Sequence, residues 1–378
     1  MTNPLLQLVE AGQSVWLDYL DRKFMSDGTL NRLIEDDGLR GLTSNPSIFE
    51  KAIGQGGDYD AQLQSLLQEG DSSPLDLYER LAVTDIQSAA DLFRPVYDRL
   101  HGLDGYASIE VSPRHAMDTE ATIVEAQRLW RSVDRPNLMV KVPATKPGLR
   151  AIRHLIGEGV NVNVTLLFGI EMYLAVAEAH IAGLDALTAK GGDLSTVHGV
   201  ASFFVSRIDT QIDKKIDARL ETAMGDDAET LRRLRGKVAI ANAKIAYQHS
   251  LDLLATPRWA RLAALGAAPQ RLLWASTGTK NPDYLDTLYV DELIGPDTIS
   301  TMPPKTMDAF RDHGIVRPSL TEDVTSALEI LAAAERLGLG LRAVTDELTV
   351  DGVRQFENSL ETLLGAIAQK RKRLRNER

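Results

Sequence analysis

The sequence predicts an α/β protein: a single closed (β/α)8 barrel of the TIM type, with additional helices outside it. Two observations carry this. Short apolar runs rich in valine and isoleucine alternate eight times with longer segments of helical period, which fits a closed parallel barrel better than an open sheet. Eight strand–helix units need only about 250 residues, and the chain has 378. The surplus falls near 49–106 and 209–270, segments rich in leucine, alanine and charge, where extra outer helices are expected. No proline- or serine-rich linker divides the chain, so residues 1–378 are expected to form one domain.

The strands are expected at Ser14–Leu20, Leu39–Asn45, Ala107–Ser112, Leu138–Ala144, Val160–Phe168, Val197–Val205, Arg271–Thr277 and Ile299–Met302. Between them, the helix expected over Asp118–Val133 begins with a carboxylate cap, and that over Pro147–Gly157 begins with proline and ends at glycine. GQGGDYD, Gly54–Asp60, reads as a flexible loop, because its glycines lack the spacing of a dinucleotide fingerprint.

A hydrophobic fraction of 44% and a charged fraction of 25% describe an ordinary soluble protein. No segment is apolar enough to span a membrane, and the N-terminus lacks a signal-peptide pattern, so a cytoplasmic protein is expected. The absence of cysteine excludes disulfides and thiolate chemistry. A net charge of -11 argues against a nucleic-acid partner. The one basic run, KRKRLR at Lys370–Arg375, closes a helical pattern of Val353, Phe356, Leu360, Leu363, Leu364 and Ile367, where cations complement the helix dipole. The seven histidines show no HxH or HExxH arrangement, and without cysteines a metal site would need scattered ligands, so no metal is expected. His198 lies inside the expected sixth strand, and its role stays open.

Polar residues inside the strands point to chemistry. In NLMVKVPAT, Lys141 interrupts a run buried on both faces, where an ammonium costs several kcal/mol unless it is paired or gives up its proton. Side chains alternate along a strand, so parity places Asp18, Asn45, Glu110, Lys141, Asn163 and Thr165 inside the barrel, toward the strand C-termini. Taken singly, Asp18 or Asn45 reads as a cap or loop residue, and a buried lysine as half of a structural ion pair. Taken together, an amine, two carboxylates, amides and a hydroxyl fit imine chemistry on a polyhydroxylated substrate, because burial favours the neutral, nucleophilic form of Lys141. In RLLWASTGTKNPD, the turn of Ser276, Thr277, Gly278 and Thr279, followed by Lys280, offers N–H groups, hydroxyls and charge to an anion. Arg207 is a second candidate cation; either it or Lys280 equally fits a surface ion pair.

GLTSNPSIF, Gly41–Phe49, closely resembles the transaldolase signature, and NLMVKVPAT resembles the segment that carries that family's Schiff-base lysine. The resemblance continues through GVNVNVTLLF, VASFFVSRID and STMPPKTMDAF and is closest to the longer bacterial subclass. It implies that Lys141 forms the imine with a ketose phosphate and that Asp18 is the acid/base on the C4 hydroxyl. Glu110, through a water held by Thr165, moves protons during imine formation and hydrolysis. Thr43, Asn45, Asn163 and Ser202 fall on substrate-binding positions, and Arg207, Ser276 and Lys280 on the phosphate side. The implied activity transfers a dihydroxyacetone unit from sedoheptulose 7-phosphate or fructose 6-phosphate to glyceraldehyde 3-phosphate or erythrose 4-phosphate, in the non-oxidative pentose phosphate pathway and without a cofactor. The alternatives are a lyase of the fructose 6-phosphate aldolase type and a catalytically silent barrel that binds sugar phosphates. Lys280 replaces the arginine of the short forms, and Phe203 and Ser206 replace a proline and a glycine, which bears on the phosphate geometry and on packing around Ser202. Oligomeric state is not legible.

Overall fold

In the computed structural model, which describes residues 3–55, 57–70 and 72–376, eight parallel strands close into a barrel in chain order. They are β1 Gln13–Leu17, β2 Leu39–Leu42, β3 Tyr106–Glu110, β4 Leu138–Pro143, β5 Val162–Leu167, β6 Gly199–Phe204, β7 Arg271–Ala275 and β8 Thr298–Met302. β8 pairs with β1 in parallel from Gln13↔Thr298 to Leu17↔Met302, which closes the ring. Nearly every strand residue is buried, as expected where helices cover one face and the opposite strands fill the other.

The expected eight strands are all present, and several end earlier than expected. β1 stops at Leu17 and β2 at Leu42, so Asp18 and Asn45 lie just past the strand ends. Asn45 Oδ1 accepts from Ile48 N at 3.0 Å and so caps the first turn of the helix Pro46–Gln55. His198 precedes β6 instead of lying in it, because its N–H donates to Asn161 Oδ1 at 2.8 Å below the ladder. GQGGDYD is a loop only in its middle. Gly54 and Gln55 finish a helix and Asp60 starts the next, Asp60–Glu69, while Gly56 lies outside the described residues.

Three helices, Pro46–Gln55, Asp60–Glu69 and Pro74–Arg99, separate β2 from β3. Four more, Ser206–Leu220, Gly225–Leu234, Val238–Leu254 and Pro257–Ala264, separate β6 from β7. Their starts follow local rules: Asp118 caps Thr119–Val133 by accepting from Ala121 N at 3.0 Å, and Thr145 caps Lys146–Ile156 by accepting from Gly148 N at 3.0 Å.

Inside, Trp16 fills the lower barrel. Its ring lies against Gly41, where a Cβ would come within 2.5 Å of the indole, so only glycine lets the ring sit there. Trp16 Nε1 donates to Asp104 Oδ1 at 2.7 Å, and Ser14 and Arg271 also donate to that carboxylate, which plugs the N-terminal end. The C-terminal helix, Leu341–Asn376, runs past the opposite end and packs on Pro46–Gln55, Pro74–Arg99 and β5. Its basic tail is anchored: Lys370 reaches Asp60 at 3.1 Å, and Arg373 pairs with the same carboxylate. Among the described residues, no helix is long and apolar enough to cross a membrane.

Candidate active site

The ends of the strands build the site. Lys141 on β4 stands directly across the ladder from Glu110 on β3 and Asn163 on β5, so strand register alone gathers an amine, a carboxyl and an amide in one layer. Lys141 Nζ lies 3.1 Å from Glu110 Oε2 and donates to the Ser44 carbonyl at 2.9 Å. That carbonyl is fixed because Ser44 Oγ donates to Ser108 O at 2.7 Å, tying β2's end to β3. Both members of the pair are deeply buried, with side chains 4% and 3% exposed. Burial pushes the Glu110 carboxyl above its usual range, and Lys141 pulls it back part of the way.

Behind the amine runs a polar rail. Asn163 Nδ2 donates to Ser108 Oγ at 3.2 Å, and its Oδ1 accepts from Ser202 Oγ at 2.7 Å, linking β3, β5 and β6. Above Lys141 on the other side, Thr43 Oγ1 donates to Asp18 Oδ1 at 2.7 Å and meets Thr301 Oγ1 at 3.2 Å. The hydroxyl of Thr165 is buried with no hydrogen-bond partner among the described residues, and neither oxygen of Glu110 has one beyond its ion pair. Buried polar groups of this kind are ordinarily satisfied by a bound partner or an ordered water.

Lys141, Asp18, Thr43 and Ser202 open onto a cavity of about 610 Å³ at the C-terminal mouth. Of the residues expected from sequence, Asp18, Thr43, Asn45, Lys141, Ser202, Arg207, Ser276 and Lys280 line it. Glu110, Asn163 and Thr165 stand behind this lining. Arg207 is the second residue of the helix Ser206–Leu220, so the positive end of that helix joins the mouth. Ser206 Oγ and Ser276 Oγ are 2.9 Å apart, joining this helix start to the β7 turn. Thr277 corrects the expectation that every hydroxyl of that turn faces an anion: it is fully buried and donates to Thr301 O at 2.8 Å.

Sequence reasoning missed several lining residues, among them Lys51, Phe204, Thr301, Lys305 and Phe356. Lys51, just past the signature segment, follows Ser47 and Ile48 at helical spacing, a periodicity that could have found it. Phe356 comes from the C-terminal helix, which also places Gln355 Oε1 3.1 Å from Arg207 Nη1 and Ser359 Oγ 2.8 Å from Ser47 Oγ. No local signal announces those contacts. Arg207 lies over the Phe204 ring at 5.5 Å, and burial lowers its basicity.

Fold and site define a lysine-bearing (β/α)8 barrel with a cationic mouth. The chain belongs to the family described as Transaldolase/Fructose-6-phosphate aldolase, whose profile matches residues 15–367. It is 45% identical over 377 residues to the transaldolase of Trichodesmium erythraeum, covering 99% of both chains. It is 46% identical over 370 residues to the transaldolase of Thermobifida fusca, covering 98% of both chains. With transaldolase 1 of Streptomyces avermitilis it shares 49% over 366 residues, which is 96% of this chain and 94% of the other.

Proposed function

We propose that this chain is a transaldolase, a transferase that moves a dihydroxyacetone unit from a ketose phosphate to an aldose phosphate in the pentose phosphate pathway. The observation that carries the reading is the buried Lys141 amine, 3.1 Å from Glu110 and opening onto a cavity shared with Asp18.

In this mechanism the neutral amine of Lys141 attacks the ketose carbonyl, and Glu110 returns the proton that lets the carbinolamine hydroxyl leave as water. Asp18, oriented by Thr43, takes the proton of the C4 hydroxyl as the C3–C4 bond breaks, and the bond's electrons pass into the imine to give an enamine. The aldose phosphate departs. An acceptor aldehyde then takes up the enamine carbon, Asp18 returns the proton to its oxygen, and water hydrolyses the imine with Glu110's help. Asn163 and Ser202 border the dihydroxyacetone end, whereas Arg207, Ser276 and Lys280 hold the phosphate, with Asn45 between them. The reading treats the barrel and its helical insertions as one domain working in the cytoplasm.

The test is to incubate the protein with fructose 6-phosphate, reduce with borohydride and locate the adduct by peptide mass spectrometry. A dihydroxyacetone-derived mass on Lys141 is expected, and added erythrose 4-phosphate should discharge it as sedoheptulose 7-phosphate before reduction. Release of free dihydroxyacetone without transfer would convert the reading to a lyase, and binding without any adduct would overturn it.

A further inference from the structure

The mouth holds more positive charge than its expected residues supply. Lys51 extends from the helix Pro46–Gln55 into the lining, facing the same cavity as Arg207 and Lys280, which arrive from two other elements. Among the described residues none of the three has a carboxylate within ion-pair distance; Arg207's hydrogen-bond partner is the neutral Gln355. The three cations share one opening in a protein of net charge -11, whereas Arg128 pairs with Glu79 and Arg311 with Asp37. Lys305 also borders the cavity. Asp18, the acid that lines the cavity, accepts from Thr43 and offsets part of the charge of Arg207 and Lys280. The cations are close enough to disturb one another: Lys280 is lowered in pKa by burial first and then by the charge of Arg207, with Asp18 opposing and Lys51 adding a smaller push.

Such crowding costs free energy in the empty site and is relieved when a dianion enters, because each cation then gains a charge-assisted contact. We propose that Lys51 is a substrate-binding residue that clamps the phosphate of the sugar from the side opposite Arg207, and so sets the preference for phosphorylated over unphosphorylated aldoses. This deepens the transaldolase reading and rests on it. The placement suits the role. Lys51 is exposed on a helix that starts at the Asn45-capped turn, and Ser47 on the same face is bonded to Ser359 of the C-terminal helix. The lysine therefore projects from a helix held at its N-terminal end, while its long side chain is free to follow the anion.

The experiment compares Lys51→Met and Lys51→Arg with the unmodified protein, using erythrose 4-phosphate and erythrose as alternative acceptors at saturating fructose 6-phosphate. Loss of one charge-assisted phosphate contact should lower the kcat/KM ratio of the phosphorylated over the unphosphorylated acceptor about tenfold in Lys51→Met, mostly through KM, and Lys51→Arg should restore most of it. Calorimetric titration with inorganic phosphate gives a second readout that does not need turnover, and Lys51→Met should bind it about tenfold more weakly. An unchanged ratio together with unchanged phosphate affinity overturns the role of Lys51. Borohydride trapping on Lys141 in the same preparations tests the parent reading separately, so failure of one is distinguishable from failure of the other.

Discussion

Lys141 and Glu110 are partners because β3 and β4 place them directly opposite each other, and their 3.1 Å contact follows from that register. Lys141→Met should abolish turnover and the borohydride adduct while leaving the fold intact. It also strands a buried carboxyl, a change that costs about 3–5 kcal/mol where the group is ionised. Burial already raises the Glu110 pKa, and Lys141 opposes that rise, so the variant raises it further. A carboxyl with a raised folded pKa is most favourable below its unfolded value near ~4.3 and loses that stability as pH rises through the folded value. Urea denaturation should thus show a deficit in Lys141→Met that grows from pH 5 to pH 8, and Glu110→Gln in the same chain should remove most of it. A pH-independent deficit would contradict the pairing.

The contact of Thr43 with Asp18 separates carbon–carbon cleavage from imine formation. Asp18→Ala removes the group assigned to the C4 hydroxyl but not the Lys141 amine. Turnover should fall by about 10²–10⁴, the usual share of a general acid–base residue, while ketose is still trapped on Lys141 by borohydride. If trapping fell in parallel with turnover, Asp18 would be acting earlier than assigned. Thr43→Val should reproduce the effect more weakly, since it leaves the carboxylate in place without its 2.7 Å donor.

Strand parity and the signature segments made most of this site legible, because a buried parallel strand leaves only two faces to choose between. Lys141, Glu110 and Asn163 were found for that reason. Strand ends were harder. Asp18 and Asn45 lie beyond them, and the cap reading of Asn45 is correct as far as its bond to Ile48 goes, although the residue also lines the cavity. Contacts made by the C-terminal helix could not be read at all. Gln355 meets Arg207 across 148 residues of chain, and the helix approaches β5 through Gly352, where a Cβ would lie 2.7 Å from the Leu166 side chain. Leu166 itself has a positive φ of 55°, at an irregularity in the β5–β6 pairing that no local pattern announces.

Gly41 tests the packing below the site. A methyl group there would meet three atoms of the Trp16 indole at 2.5–2.8 Å, and the ring is held by its bond to Asp104. A rigid, tethered ring cannot step aside as a flexible side chain can. Gly41→Ala should therefore cost about 1–3 kcal/mol, the range for overpacking a filled core, read as a lower denaturation midpoint. Trp16→Phe, which removes the larger ring, should recover part of the loss when combined with it. An Ala variant as stable as the parent would mean the barrel floor is looser than this packing implies.

His180 makes acid stability testable at a place remote from the chemistry. It is fully buried on the helix Ile170–Ala189, its ring lies where a Cβ on Gly199 would come within 2.8 Å, and neither nitrogen has a hydrogen-bond partner among the described residues. Burial, with a smaller push from His198, lowers its pKa to about 4. In the unfolded chain the ring titrates near ~6.5, so below that value the unfolded state takes up a proton that the folded state refuses. Stability is therefore full above pH 6.5 and drains as pH falls toward 4, by about 3 kcal/mol over that window. His180→Leu removes the titration and keeps an apolar side chain of similar length. Its urea midpoint should fall less than the parent's between pH 7 and pH 4.5, so the two acid profiles converge or cross. Parallel profiles would show that the acid sensitivity resides in other groups.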